Sequence, residues 1–107
     1  MSLFSAFFGP DINELVARAQ QVPGHILLDV RSADEYRGGH IEGARNAPLA
    51  TLAVTAPLQV PDKHAPLYVY CLSGARSAQA VRELRRMGYE HVTDVGGINR
   101  WSGALER

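Results

Sequence analysis

The sequence predicts an α/β fold, with a parallel β-sheet covered by helices on both faces. Residues 25–30 and 67–70 are short runs rich in apolar and β-forming side chains, as in strands buried on both sides. Segments with the apolar spacing of helices lie before and after these runs. Since strands that alternate with helices join through crossover connections, the pattern indicates one parallel sheet between two layers of helices. The length of 107 residues fits a single domain, which we expect over residues 11–107.

The first ten residues are expected to form an apolar N-terminal arm (residues 1–10) that packs on the domain or on a partner subunit. The arm contains Leu3, Phe4, Phe7 and Phe8, and no basic residue occurs before Arg18. A secretion signal needs a basic start and a longer apolar run. No stretch of the chain approaches the roughly 20 apolar residues of a membrane span. We therefore expect a cytoplasmic protein with no membrane partner.

The N-terminal half contains three helix signals and one strand. Asp11 and Asn13 are suitable caps for a helix that extends to about Gln21. The inner face of this helix is expected to consist of Ile12, Leu15, Val16 and Ala19. After the strand at residues 25–30, Ser32 and Glu35 have the spacing of a capping box, which predicts a short helix over residues 33–37. Residues 41–48 are expected to form a turn and a short extended piece, and residues 49–58 a further short helix.

The C-terminal half contains two strands and one longer helix. The strand at residues 67–70 leads through a loop that begins at Cys71 into a helix of about twelve residues ending near Met87. The inner face of this helix is expected to consist of Ala78, Val81, Leu84 and Met87. A strand over residues 91–95 follows. Gly96 and Gly97 then lead into a final helical turn that carries Trp101.

Charge and cysteine content argue against several classes of function. Eleven Lys and Arg residues balance eleven Asp and Glu residues, so bulk charge gives no reason to expect a nucleic-acid partner. The single cysteine, Cys71, rules out an intrachain disulfide and is too few for a metal site built on thiolates. The four histidines are scattered along the chain. No metal site is therefore expected.

The loop after the second buried strand has the composition of a reactive-cysteine site. It consists of Cys71, Leu72, Ser73, Gly74, Ala75, Arg76 and Ser77. Ligands of open α/β sheets bind at the carboxyl ends of strands. A loop folded into the first turn of a helix directs backbone N–H groups and the helix dipole toward such a ligand. This environment lowers the pKa of a cysteine thiol, and Arg76 adds a cation that can bind an anion through two hydrogen bonds.

Cys71 also has a simpler interpretation, because most free cysteines are small buried apolar residues. On the cysteine alone that interpretation would be preferred. The order of strand, cysteine, glycine, arginine and helix favours the functional interpretation. The sequence thus predicts a thiolate surrounded by amides, which is also able to hold an anionic adduct on its sulfur.

Several separated blocks of the sequence together resemble a single-domain rhodanese, a thiosulfate sulfurtransferase-like protein. In order, these blocks are Leu28-Asp29-Val30-Arg31, Glu35-Tyr36, Gly39-His40-Ile41-Glu42-Gly43-Ala44 with Asn46 and Pro48, Val69-Tyr70-Cys71, Gly74, Arg76-Ser77, Leu84, Gly88-Tyr89, and Gly96-Gly97 with Trp101. No single block is decisive, but their joint spacing is specific. The resemblance extends over about residues 11–107.

The resemblance implies a central five-stranded parallel sheet and a ping-pong sulfur transfer. The Cys71 thiolate would take the outer sulfur of thiosulfate, or of a protein persulfide donor, and release sulfite in the thiosulfate case. The resulting persulfide would pass its sulfur to cyanide or to a thiol, including a protein thiol. The amides of residues 72–77 would stabilise the anionic persulfide. This chemistry requires no cofactor.

Two other functions remain as alternatives. The first is a rhodanese-fold module that carries sulfur or regulates, with little thiosulfate turnover, because the loop that binds a persulfide is the same. The second is a small phosphatase or arsenate reductase. Related dual-specificity phosphatases have one more residue between the cysteine and the arginine of the loop. The four residues between Cys71 and Arg76 predict a smaller loop and favour sulfur over phosphate.

Four further polar residues in the matching blocks are Asp29, Arg31, Glu35 and His40. Asp29 or His40 would be a general base or proton shuttle in one interpretation. In the interpretation we prefer, the four form a hydrogen-bonded network that supports the loops beside Cys71. A thiolate that is stabilised by amides does not require a base.

Overall fold

The centre of the fold is a sheet of four parallel strands. The computed structural model describes residues 9–107, so residues 1–8 of the predicted N-terminal arm lie outside the described residues. The strands, in chain order, are β1 (Ile26–Asp29), β2 (His40–Ile41), β3 (Arg45–Asn46), β4 (Leu67–Cys71), β5 (Val92–Gly97) and β6 (Leu105–Glu106). The main sheet has the order β3-β1-β4-β5, and all of its pairs are parallel. The carboxyl end of β4 therefore lies between two neighbouring strands.

Within the described residues the main sheet has four strands, so the expected number of five is wrong. The strand β2 has two residues and pairs antiparallel with β6 in a separate two-stranded sheet. Ile41 of β2 donates its backbone N–H to the hydroxyl of Tyr70 at 3.1 Å and belongs to the same buried cluster as Tyr70. The strand β2 therefore lies over one face of the main sheet and does not extend its edge.

Within residues 9–107, the structure has four α-helices and two short 3₁₀ turns. The helices are α1 (Ile12–Ala19), α2 (Ala33–Gly38), α3 (Leu52–Gln59) and α4 (Ala75–Arg86), and the 3₁₀ turns are Leu49–Thr51 and Ile98–Arg100. The predicted capping box is confirmed at the start of α2, where Ser32 and Glu35 exchange hydrogen bonds with each other's backbone amides. The final helical turn, which was expected to carry Trp101, ends at Arg100. The strand β6 was not predicted. Among residues 9–107, no helix is long and apolar enough to cross a membrane.

Apolar side chains are buried on both faces of the main sheet, as the α/β pattern predicts. Successive strand residues point to opposite faces, so Tyr70 belongs to one buried cluster and Cys71 to the other. Helix α1 contributes Ile12 to the cluster that contains Tyr70. Helices α3 and α4 contribute Leu52 and Leu84 to the cluster that contains Cys71. Helices on both faces are thus confirmed, and the two layers fix β4 from both sides.

The inner face of α4 is rotated from the predicted one. Its buried residues are Ser77, Ala80, Val81 and Leu84, whereas Ala78 and Met87 are only half-buried. The predicted residues are spaced three apart. In a helix of 3.6 residues per turn, each such step falls roughly 60° short of a full turn, so the residues do not stay on one face. The buried set follows the i, i+3, i+4, i+7 spacing instead. As a result Ser77 points inward at the start of the helix, next to the Cys71 loop.

Candidate active site

Cys71 is the last residue of β4, at the carboxyl end of the main sheet. It is 1% exposed and pairs in register with Gly97 of β5. The loop that follows runs into α4, whose first residue is Ala75. This is the edge at which open α/β sheets bind ligands. We refer to residues 71–77 as the Cys71 loop.

The Cys71 loop surrounds the sulfur with hydrogen-bond donors. The backbone N–H of Gly74 lies 3.0 Å from Sγ. Burial raises the pKa of the Cys71 thiol, but the polar groups of Ser77 and the amides of Gly74 and Ser73 lower it and outweigh this effect. The net pKa is lower than the ordinary value of a thiol. The site therefore favours an anion on sulfur, although the sulfur is buried.

Two backbone features bring these donors to the sulfur. Gly74 precedes α4 and has a φ of +109°, a left-handed conformation that residues with a Cβ rarely adopt. The first helical residue follows at once, so the free N–H groups of the first turn of α4 face the end of β4. The positive end of the helix dipole lies beside the sulfur and favours negative charge there.

Arg76 is held by Glu35 in a two-point ion pair. Its Nη1 donates to Oε1 at 2.7 Å, and its Nη2 donates to Oε2 at 3.0 Å. Glu35 is in turn fixed by the capping box, since its Oε1 also accepts the backbone N–H of Ser32 at 3.1 Å. The two hydrogen bonds that we expected Arg76 to offer to an anion therefore go to Glu35. Arg76 links the Cys71 loop to α2.

The Glu35–Arg76 pair predicts a pH-dependent contribution to stability. The hydrogen bonds from Arg76 lower the pKa of Glu35 from 4.5 to about 2. A carboxylate with a lowered pKa in the folded state stabilises the protein above its ordinary pKa and loses this effect as the pH falls toward the lowered value. The difference in unfolding free energy between wild type and Glu35→Gln should be full above about pH 5 and disappear near pH 2.

This prediction is measured by urea unfolding of both proteins at a series of pH values. Glu42→Gln is the matched control, because Glu42 is an exposed carboxylate outside the Cys71 loop and outside α2. An equal difference between wild type and Glu35→Gln at both ends of the pH range would show that the charge of Glu35 contributes nothing.

Asp29 and Arg31 form a buried ion pair beside the Cys71 loop. The Arg31 Nε and Nη2 donate to the two carboxylate oxygens of Asp29 at 3.0 and 2.7 Å. The backbone N–H of Arg31 donates to the same carboxylate at 2.9 Å, and Nη2 also donates to the carbonyl of Gly39 at 2.8 Å. Asp29 is 0% exposed and Arg31 6%. Within residues 9–107, no buried side-chain polar atom lacks a hydrogen-bond partner, so this pair is fully satisfied.

His40 interacts with residues other than Cys71. Its Nδ1 lies 2.8 Å from the carbonyl oxygen of Tyr36, and its Nε2 lies 3.2 Å from Oε1 of Glu106. The ring is stacked on the ring of Tyr36, with centroids 3.7 Å apart. These contacts hold α2 against β2 and β6. The four supporting residues of the sequence analysis therefore serve separate connections, namely Asp29 with Arg31, Glu35 with Arg76, and His40 with β6.

Two cavities flank the Cys71 loop. One, of about 340 Å³, is lined by Ser73, Gly97 and Arg100 together with residues of α1. The other, of about 490 Å³, is lined by Arg76, Ser32, Pro48 and Gln79 among others. The Cys71 loop borders one cavity through Ser73 and the other through Arg76. In the part of the chain that the structure describes, no three His, Cys, Asp or Glu side chains are grouped to hold a metal ion.

Sequence reasoning assigned no role to three contacts that shape the site. The Leu72 carbonyl accepts the backbone N–H of Asn99 at 3.1 Å, Gly97 lies directly against the loop, and Tyr70 holds β2. Gly97 and Tyr70 stand in the blocks that carry the family resemblance, which is the only signal for them. The Asn99 contact is made by the backbone, so the residue type carries no signal.

Comparison with known proteins yields a consistent set of relatives. A family model described as Rhodanese-like domain matches residues 11–104. The thiosulfate sulfurtransferase PspE of Escherichia coli (strain K12) is 41% identical over 71 residues, which are 66% of this chain and 68% of that protein. The uncharacterized protein YqhL of Bacillus subtilis (strain 168) is 40% identical over 81 residues, 75% of this chain and 63% of that protein. The chain thus spans about two thirds of the length of these relatives.

Solved structures agree with the sequence comparison. A rhodanese from E. coli, determined with anions, superposes with a TM-score of 0.71 at 35% identity. The match covers 78% of this chain and 98% of that one. The overall fold therefore has a counterpart among experimental structures.

Proposed function

The chain belongs to the rhodanese family, and from this premise we propose that it is a sulfurtransferase that works through a persulfide on Cys71. The donor is thiosulfate or a persulfide, and the acceptor is cyanide or a thiol. The similarity to the thiosulfate sulfurtransferase PspE supports thiosulfate as the donor. We further propose that the protein acts in the cytoplasm, where a lone cysteine stays reduced.

The proposed reaction has two displacement steps on sulfur. In the first, the Cys71 thiolate attacks the outer sulfur of thiosulfate, the S–S bond of thiosulfate breaks, and its electron pair leaves with sulfite. Cys71 then carries an outer sulfur with one negative charge. In the second step, cyanide attacks this outer sulfur, thiocyanate leaves, and the Cys71 thiolate is regenerated. No proton has to be removed by a general base, which agrees with the interactions of Asp29 and His40 elsewhere.

The observation that carries the proposal is the Gly74 N–H that donates to the Cys71 sulfur at the start of α4. The Gly74 amide at 3.0 Å and the amides of Ser73 and Ser77 favour an anion at this position. The same donors would stabilise the terminal sulfur of a persulfide, which is the charged species between the two steps. Preformed donors of this kind lower the barrier because they do not reorganise during the reaction.

Two features favour sulfur transfer over phosphate hydrolysis. Only four residues separate Cys71 from Arg76, so the loop is short for a tetrahedral phosphate. Arg76 also directs its two terminal nitrogens at Glu35, whereas phosphate binding calls for a guanidinium that donates two hydrogen bonds to the ligand. Both observations support a smaller anionic group at the loop.

The proposal is tested by steady-state formation of thiocyanate from thiosulfate and cyanide. A ping-pong mechanism predicts parallel double-reciprocal lines when one substrate is varied at fixed levels of the other. Hydrolysis of an aryl phosphate by the same protein is measured in a parallel assay, and we expect none. Aryl phosphate turnover without thiocyanate formation would overturn the proposal in favour of a phosphatase. If thiosulfate is inert and a protein persulfide donor alone loads Cys71, the sulfur-carrier alternative replaces it.

A further inference from the structure

Gly97 lies against the Cys71 loop more closely than any other residue type would allow. Its backbone has φ −114° and ψ 134°, an extended conformation open to every residue. A Cβ at this position would lie 2.4 Å from the carbonyl oxygen of Leu72 and 2.7 Å from the Cα of Ser73. Real Cβ atoms essentially never approach other atoms so closely. Glycine is therefore required here for space and not for its dihedral freedom.

This close approach accompanies a hydrogen bond that fixes one peptide group of the loop. The carbonyl of Leu72 accepts the backbone N–H of Asn99 at 3.1 Å, on the side of the loop that faces β5 and the following 3₁₀ turn. In a planar trans peptide, the C=O of one residue and the N–H of the next point in opposite directions. The N–H of Ser73 therefore points away from Asn99, and this amide is one of the groups that lower the pKa of the Cys71 thiol.

We propose that Gly97 is a positioning residue, which lets the Leu72–Ser73 peptide dock on the Asn99 N–H and so turns the Ser73 amide toward the nucleophile. The inference rests on the proposed function in taking Cys71 as the nucleophile. Gly97 has no side chain with which to act on a substrate. It acts through the orientation of a single peptide group, which forms part of the anion-binding face of the loop.

A methyl group at Gly97 is expected to push this peptide away from β5. The Leu72 carbonyl then loses the Asn99 donor, and the Ser73 N–H turns away from the sulfur. With one donor fewer, the pKa of Cys71 rises and less thiolate is present near neutral pH. Loss of a hydrogen bond to a charged group predicts a decrease of about tenfold or more in the rate of alkylation at neutral pH.

The test compares Gly97→Ala with Gly38→Ala by measuring the rate of Cys71 alkylation with iodoacetamide as a function of pH. Gly38 is the matched control, because it is an exposed glycine at the end of α2 and a Cβ there has no neighbour within 4 Å. Thiolate absorbance in the ultraviolet gives the titration independently. We expect Gly97→Ala to be alkylated more slowly than Gly38→Ala near neutral pH. The two variants should be alkylated at equal rates once the thiol is fully ionised. A merely structural defect would not produce this pH dependence.

Two further variants keep the inference testable. A Cβ at Gly97 would also meet the side-chain oxygen of Asn99 at 2.6 Å, so Gly97→Ala is combined with Asn99→Ala to remove that flexible group. The double variant should still show slow alkylation of Cys71 at neutral pH, since the clash with the backbone remains. A double variant in which Cys71 is alkylated at the wild-type rate would overturn the inference. If Gly97→Ala does not fold, an ester in place of the Ile98–Asn99 amide removes the donor without adding an atom, and an unchanged Cys71 titration in that variant overturns it.

These measurements separate the inference from the proposed function. Alkylation and thiolate absorbance do not depend on sulfur transfer. A wild-type protein that transfers sulfur, combined with a Gly97→Ala variant that titrates normally, refutes the role of Gly97 alone. A shifted titration in Gly97→Ala, combined with a wild-type protein that forms no persulfide, refutes the proposed function alone.

Discussion

Replacing Cys71 by serine is expected to abolish sulfur transfer, with the rate of thiocyanate formation falling by about a thousandfold or more. The hydroxyl of serine is not ionised near neutral pH and cannot form a persulfide. The amides around position 71 do not compensate, because they stabilise an anion and do not supply the nucleophile. Since Cys71 is the sole cysteine of the sequence, no other thiol can take over the reaction.

The control for this variant is its folded state, which is measured by thermal unfolding and far-ultraviolet circular dichroism. Serine is close in size to cysteine, and the Gly74 amide that donates to the sulfur can donate to the hydroxyl. We therefore expect a folded protein. Cys71→Ala serves as a second inactive variant. Sulfur transfer that persists in a folded Cys71→Ser protein would remove Cys71 from the mechanism.

Replacing Asp29 by asparagine is expected to destabilise the protein by about 3–5 kcal/mol, which is the usual cost of leaving a buried charge without its partner. Asp29 is fully buried, and Arg31 is 6% exposed and donates to both of its carboxylate oxygens. Asparagine has the shape of aspartate but offers one acceptor and no charge. The guanidinium of Arg31 would remain buried beside the ring of Tyr70.

The measurement is the free energy of unfolding in urea, with Asp34→Asn as the matched control. Asp34 pairs with Arg37 on the surface, where its side chain is 89% exposed, and such pairs contribute little. Combining Asp29→Asn with Arg31→Met should restore part of the lost unfolding free energy, because the second substitution removes the uncompensated charge. A folded Asp29→Asn protein of unchanged stability but greatly reduced sulfur transfer would contradict the structural role and favour the general-base interpretation.

Local signals in the sequence were sufficient for most elements of the fold. The Ser32–Glu35 spacing predicted α2 because a capping box acts within four residues. The apolar run at residues 67–70 predicted β4 because strands buried on both faces have few polar residues. Pairing between distant segments was harder. The two residues of β2 carry no strand pattern, and they pair with β6, which lies far along the chain.

The candidate site was predicted in composition but not in all of its connections. Cys71 and its loop follow from the order of strand, glycine and helix, whose effect on a thiol is general. The pairing of Arg76 with Glu35 depends on how the tertiary fold brings the first turns of α2 and α4 together, and neither residue signals its partner. Glu35 illustrates this limit, since one carboxylate serves both a local capping box and a distant ion pair. Gly97 was visible only as part of the family resemblance, because the need for space at a residue appears only in three dimensions.

The central claim is that Cys71 carries sulfur, and the most direct test is the intact mass of the wild-type protein after incubation with thiosulfate. We expect the mass to increase by one sulfur atom and to return to its original value when cyanide is added. The Cys71→Ser protein should show no increase. An unchanged wild-type mass, or an added sulfur that cyanide does not remove, would contradict the persulfide mechanism.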